Sequence, residues 1–409
     1  MSAAKDAAGR VAGHAAGHAA GARPGSPDRL HTVQVGMGWH LEDAGGLNRY
    51  FRDLLAHLAD AGVDADGLVA GSPDVESRSS GLMRSFASPT APFPRRLLAA
   101  RRAVGQAVAP ESLLVSHFAP YGLALLGAAR THPLVSWFHG PWADEAGVEG
   151  RGRTSVIVRR LLEGRVYARS AACVVLSRAF GDLLARRYHV PRARIHVIPG
   201  GVDAPRFDGL PSRAEARRRL GWPEHAPTVV AVRRLVKRTG VDRLVRAVPA
   251  LRARVSDVQV MVVGEGPERR ALEDEATALG VGGTVRFTGF IDEATLPLAY
   301  RAADITVVPT VALEGFGLIV PESLAAGTPA LVTPVGGLPE TVEALDPMLV
   351  LRDSTPEAIA GGLVNALGGM QPPPDAARCA RFARERYDWP VVAARAEALL
   401  RRVRAEWRP

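Results

Sequence analysis

From His31 onward the chain alternates short, nearly continuous apolar runs with longer amphipathic stretches, and it does so in two series. The first contains HTVQVGM (31–37), DADGLVA (64–70), SLLVSH (112–117), PLVSWFHG (133–140), ACVVLS (172–177) and IHVIPG (195–200). Helical stretches separate them, such as 47–62, where apolar residues return every three or four positions. Apolar runs of this kind predict strands buried on both faces, hence parallel sheets covered by helices. The rhythm stops at GGVDAPRFDGLPSRAEA (200–216), rich in Gly, Pro and Asp, which reads as a linker. A second series follows: TVVAVRRLV (228–236), VQVMVVGEG (258–266), VRFTGFI (285–291), ITVVPT (305–310), PALVT (329–333) and MLVL (348–351). The expected fold is α/β, with two doubly wound Rossmann-like domains at 29–203 and 204–388. A helix at 389–409 is expected to pack back toward the N-terminal domain. Ligands of such sheets bind beyond the strand carboxyl ends, so a cleft between the domains is expected.

A length of 409 residues suits two such domains, and the 47% apolar content can fill both cores. Residues 1–28 have no hydrophobic period and read as a disordered leader without the apolar core of a secretory signal. Cys173 and Cys379 fit no metal or redox spacing, which suits a reduced, cytoplasmic setting. The net charge of +9 comes almost wholly from arginine, since all but two of the 51 basic residues are Arg. They are spread along the chain, which argues against nucleic acid as partner. An anionic ligand or membrane surface suits such a field better.

The stretch EGFGLIVPE (314–322) carries a carboxylate at each end. Pro321 belongs near a first helical turn, so the helix is expected to begin close to Gly317 or Leu318 and to stop at Gly327. Glu314 then lies in the preceding loop and Glu322 about one turn inside. A carboxylate beside a diphosphate would be repelled, so Glu314 should face a neutral donor of hydrogen bonds such as a sugar hydroxyl. Glu322 could accept from a ribose diol. A helix start that simply favours acids would also account for them.

LEGFGLIVPESLAAGTPALVTPVGGLPETV (313–342) resembles the donor-site signature of family-four retaining glycosyltransferases, E-x-F-G-x-x-x-x-E followed by a Gly-Gly-x-x-E turn. The resemblance extends from about His31 to Trp389 and implies the GT-B fold. It implies that Glu314 lies beside the donor sugar, that Glu322 holds the ribose, and that the amides of Phe316, Gly317 and Leu318 contact sugar and phosphates. AVRRLVKRTG (231–240) resembles the family's strand-end Arg-Leu motif, so Arg234 takes the arginine's phosphate-binding role. Thr239 stands where lysine commonly precedes Gly240, which leaves the second cation to Arg238, with Lys237 as rival. Gly45 and Gly46 resemble the family's diphosphate loop, although turn geometry alone also explains a glycine pair. His139, in FHGPW (138–142), matches the histidine that bonds a donor-sugar hydroxyl. His40 and His117 are weaker candidates.

The resulting expectation is a retaining hexosyltransferase that moves a sugar from a nucleoside diphosphate, UDP in preference to GDP, to an unknown acceptor hydroxyl. Glycans, glycolipids and secondary-metabolite glycosides are the product classes. No cofactor or obligatory metal is expected, since no Asp-x-Asp motif stands out. Two basic amphipathic stretches, 95–108 and 159–169, suggest peripheral contact with an anionic membrane, at the inner face for a cytoplasmic protein. The alternatives are a sugar-nucleotide epimerase of the same architecture and a non-catalytic, basic surface-binding relative.

Overall fold

The computed structural model describes residues 29–43, 45–144 and 152–408, so the leader at 1–28 lies outside the described residues. The first sheet has seven strands: β1 Leu30–Gly38, β2 Val63–Ala70, β3 Met83–Ala87, β4 Leu113–Ser116, β5 Leu134–Phe138, β6 Ala172–Val175 and β7 Ile195–Val197. Their order is β3-β2-β1-β4-β5-β6-β7. The second has five: β8 Thr228–Val232, β9 Gln259–Val263, β10 Val285–Gly289, β11 Ile305–Val308 and β12 Ala330–Val332, ordered β10-β9-β8-β11-β12. Strands β4, β5, β6 and β11 are buried at every position, as expected for strands covered on both faces. Strand order reverses between β1 and β4 in one sheet and between β8 and β11 in the other. Those are the points where doubly wound sheets open a crevice for a ligand.

Two details differ from the sequence reading. β3 was not foreseen, because MRSFA is short and only half-buried beyond Met83, as befits an edge strand. MLVL (348–351) is not a strand. Pro347–Leu349 forms a 3₁₀ turn capped by the Asp346 side chain, which accepts from the Met348 amide, and a single bridge joins Val350 to Val332. Pro347 has no amide proton to give a ladder, so pairing reduces to that bridge.

By contacts the chain forms two compact units. Among the described residues, one comprises 29–43, 45–137, 169–172 and 396–408, and the other 138–144, 152–168 and 173–395. In the first, Phe51, Leu55, Val69 and Met83 pack with Trp39 and Val75. His117 belongs to this interior: it lies over Trp137 with centroids 4.9 Å apart, and its Nε2 meets Gln34 Oε1 at 3.0 Å. Within this unit the end of helix Trp389–Glu406 is tied by Arg401 to the Gly62 carbonyl and by Arg404 to the Glu111 carbonyl. The second unit has its core around Val229, Val260, Leu244 and Ile305. Its segment 202–204 is bound to 387–389: Val202 N donates to Tyr387 O at 2.7 Å, Trp389 N to Val202 O at 3.1 Å and Ala204 N to Asp388 Oδ1 at 3.1 Å. Among the described residues, no helix is long and apolar enough to cross a membrane.

Candidate functional site

Residues Arg233 and Arg234 follow β8, where side chains still alternate between faces. Arg233 turns inward. Its Nη2 donates to Glu314 Oε2 at 2.6 Å and to Thr310 Oγ1 at 2.8 Å, with side chains 8% exposed for Arg233 and 15% for Glu314. Arg234 turns out to solvent, and its guanidinium makes no ion pair or hydrogen bond among the described residues. An exposed cation without a partner is available to an incoming anion. Arg238 is half-buried and donates through Nη1 to the Leu313 carbonyl at 3.2 Å, whereas Lys237 is exposed. Thr239 is buried and donates to the carbonyls of Arg234 and Val236, closing the loop on itself. It shapes this loop in place of supplying a charge.

The loop after β11 carries the first carboxylate. Leu313 has φ +54°, a left-handed conformation uncommon for a non-glycine residue, directly before Glu314. The Gly-Gly turn holds this loop from the other side, with Gly337 N donating to Glu314 O at 3.0 Å. At Gly336, which has φ +58°, a Cβ would stand 2.0 Å from that same oxygen, so no side chain fits. Phe316 is buried against Tyr387, edge to face at 5.5 Å, and Gly317 has φ +78°. Helix Ile319–Ala325 begins after Leu318, with Glu322 in its first turn. Glu322 is buried and accepts from Tyr300 Oη at 2.8 Å. The last acid of the signature, Glu340, accepts the amides of Arg178 and Ala179 at 2.9 Å each. Those amides open helix Arg178–Tyr188, so Glu340 serves a helix start.

His139 follows β5 and is half-buried. Desolvation pushes its pKa from 6.5 down to about 3, so the ring is neutral near pH 7. As pH falls below 6.5 the unfolded chain binds this proton and the folded chain does not, and stability is lost down to about pH 3. We therefore expect His139→Ala to flatten the fall in unfolding free energy between pH 7 and pH 5 by about 1–2 kcal/mol, read from urea titrations. An unchanged slope would rule out this account of the imidazole.

In the first unit, Gly45 is the N-cap of helix Gly46–Asp60 and carries no side-chain cap. A Cβ at Gly45 would meet nothing within 4 Å, so packing does not demand glycine there. Asn48 braces the loop, accepting from Gly38 N at 3.1 Å and donating to Asp43 O at 2.9 Å. Of the residues expected at the site, Glu314, Arg238 and the 316–318 segment lie together around the ends of β8 and β11, with Glu322 on the adjoining helix. Sequence reasoning missed Arg233, Thr310 and Tyr300. Strand alternation could have flagged one of the two adjacent arginines as inward, but nothing in the sequence says which. The groove lined by Arg213, Arg217 and Asp304 lies at the amino end of β11, opposite the ligand-binding edge.

Both halves of the chain match known protein families. The family described as glycosyl transferases group 1 matches residues 212–386, and glycosyltransferase family 4 matches 44–206. The D-inositol 3-phosphate glycosyltransferase of Salinispora tropica is 32% identical over 84% of this chain and 76% of that protein. The chain belongs to glycosyltransferase family four, with the GT-B fold. The chain is also 36% identical to the GDP-mannose-dependent alpha-(1-6)-phosphatidylinositol monomannoside mannosyltransferase of Mycobacterium tuberculosis. That match covers 43% of this chain and spans 48% of the relative's length. Among solved structures, Anabaena HepE in complex with UDP and glucose shares the fold at a TM-score of 0.73 and 18% identity, covering 91% of this chain and all of that one.

Proposed function

We propose that this glycosyltransferase moves a hexose from a nucleoside diphosphate sugar to an acceptor hydroxyl with retention of anomeric configuration. The observation that carries the reading is the Glu314 carboxylate, held by Arg233, itself braced on Thr310, at the switch point of the second sheet. Bound through one oxygen, it keeps acceptor capacity for a sugar hydroxyl. Glu322, oriented by Tyr300, receives the ribose diol. The amides of 316–318, with Arg234 and Arg238, stabilise charge that develops on the departing diphosphate, and His139 as neutral imidazole bonds a sugar hydroxyl. Fixed cations and amides lower the barrier because they need no reorganisation as the bond breaks. Retention fits attack on the face from which the diphosphate leaves, with a phosphate oxygen taking the acceptor proton.

The relatives' names contain both GDP-mannose and UDP, so the base is decided by experiment. In a thermal-shift panel of UDP, GDP, ADP and TDP sugars, one nucleotide should stabilise the fold by about 2.7 kcal/mol at a hundred times its Kd. That shift should vanish in Glu322→Ala. A response to none of them, or one that survives Glu322→Ala, overturns the donor-site reading.

We further propose contact with an anionic membrane through helix Arg153–Arg169. Ile157, Val158 and Leu161 are each at least half exposed there, between the exposed Arg153 and Arg165. Flotation with phosphatidylglycerol vesicles, but not with phosphatidylcholine alone, should carry the protein and should fail for Leu161→Glu. Equal flotation of the variant would remove this helix from consideration.

A further inference from the structure

Glu163 is a buried acid to which the reaction above gives no work. It sits on the inner side of helix Arg153–Arg169 with 1% of its surface exposed. Its carboxylate receives three protons: Trp142 N donates to Oε1 at 3.0 Å, Ala143 N to Oε2 at 3.1 Å and Tyr188 Oη to Oε2 at 2.7 Å. Those amides belong to the turn that follows His139 within four residues. Three further contacts hold the same turn. The Arg159 guanidinium lies 4.0 Å from the Trp142 ring centre, and Arg160 and Arg187 each donate to Asp144 Oδ1 at 2.9 Å. Inside the turn, Trp142 N also approaches Gly140 O at 3.1 Å and Asp144 N donates to Pro141 O at 2.9 Å.

Burial is expensive for such a carboxylate. It pushes the Glu163 pKa up to about 7, against the opposing pull of Tyr188 and the two amides and with Asp144 adding to the rise. A glutamine would fill the same space without charge, but its NH₂ end cannot accept a proton from an amide or a phenol. An acid of this length accepts on both oxygens at once when ionised, and when protonated it keeps an acceptor lone pair on each, which an amide NH₂ does not.

We propose that Glu163 is a positioning residue for His139, fixing the 139–144 turn so that the imidazole is presented to the donor sugar in one orientation. The role rests on the assignment of His139 to the donor sugar under the function proposed above. Tyr188 completes the device by orienting the carboxylate. The imidazole stays neutral and in place because the turn that carries it cannot open to water.

The test needs no identified substrate. Imidazole resonances are followed by NMR against pH in the full chain, with the His139 signal assigned by its loss in His139→Ala. In the unsubstituted protein the His139 ring should not protonate between pH 5 and 8, and any small shift near pH 7 should follow the titration of Glu163 itself. In Glu163→Gln the His139 signal should shift and titrate with a midpoint moved toward 6.5, as the turn admits water. Tyr188→Phe, the milder change, should move it in the same direction by less. Unchanged cooperative unfolding in either variant separates this local effect from loss of the fold. A His139 signal indifferent to both substitutions overturns the proposal. The underlying reading is checked separately, by the thermal shift that UDP and GDP sugars induce in His139→Ala. Full retention of that shift removes His139 from the donor site, whatever the NMR result. With a donor in hand, Glu163→Gln should also lower kcat by roughly 10-fold to 100-fold with little change in KM.

Discussion

Glu314→Ala is expected to lower turnover by roughly 10²–10³-fold while the nucleoside diphosphate alone still binds. The two effects separate because the site is built from distinct parts. Glu322, with its Tyr300 partner, is the group assigned to the ribose, and it lies on the helix, outside the loop that carries Glu314. On the proposed function, losing Glu314 would cost the sugar hydroxyl its hydrogen-bond acceptor without touching the nucleoside. It also leaves Arg233 as a cation with a nearly buried side chain and no carboxylate partner. Such a charge would draw in water or a buffer anion where the sugar should lie. Measured with whichever donor the thermal panel selects, kcat/KM should fall by the stated factor, whereas the Kd for the diphosphate should change by much less. Turnover near the original value would show that Glu314 only neutralises Arg233.

The second large effect concerns stability. Arg233→Ala should destabilise the fold by about 3–5 kcal/mol, because removing one partner of a buried ion pair strands the other. Thr310 cannot compensate, since its hydroxyl reaches Glu314 Oε2 only at 3.4 Å. The double variant Arg233→Ala/Glu314→Ala should recover most of that loss, because no uncompensated charge remains. Chemical denaturation of the two singles and the double gives the coupling directly. Additive losses would mean that the pair contributes no coupling, which its 2.6 Å geometry does not lead one to expect. Arg234→Ala, in contrast, should leave stability nearly unchanged, because that side chain is exposed and unpaired.

The parts of the fold that read correctly from the sequence are those governed by local physics. Apolar runs predicted eleven of the twelve strands among the described residues, because a strand covered on both faces must be apolar at nearly every position. The start of the 319–325 helix was legible from Pro321, whose ring is tolerated only near a helix start. Where local signals were weak, the reading failed. β3 is a half-exposed edge strand, and 348–351 has an apolar pattern that Pro347 and Asp346 turn into a 3₁₀ turn.

The site divides in the same way. Glu314, Glu322 and the glycines between them lie within one short segment, and the chain itself keeps them close. Their spacing and the resemblance it carries were therefore sufficient to point to the family. Arg233 is 81 residues from Glu314, and Tyr300 is 22 from Glu322. Their pairing depends on the order of strands in the sheet. β8 lies directly beside β11 although β9 and β10 come between them in sequence. That crossover brings the end of β8 against the loop after β11, and strand alternation then sends Arg233 inward and Arg234 out. Sequence thus determined which chemical groups the protein carries in the loop after β11. Tertiary structure alone decided which cation neutralises the first carboxylate and which stays open to solvent, because a parallel sheet joins positions that are remote along the chain.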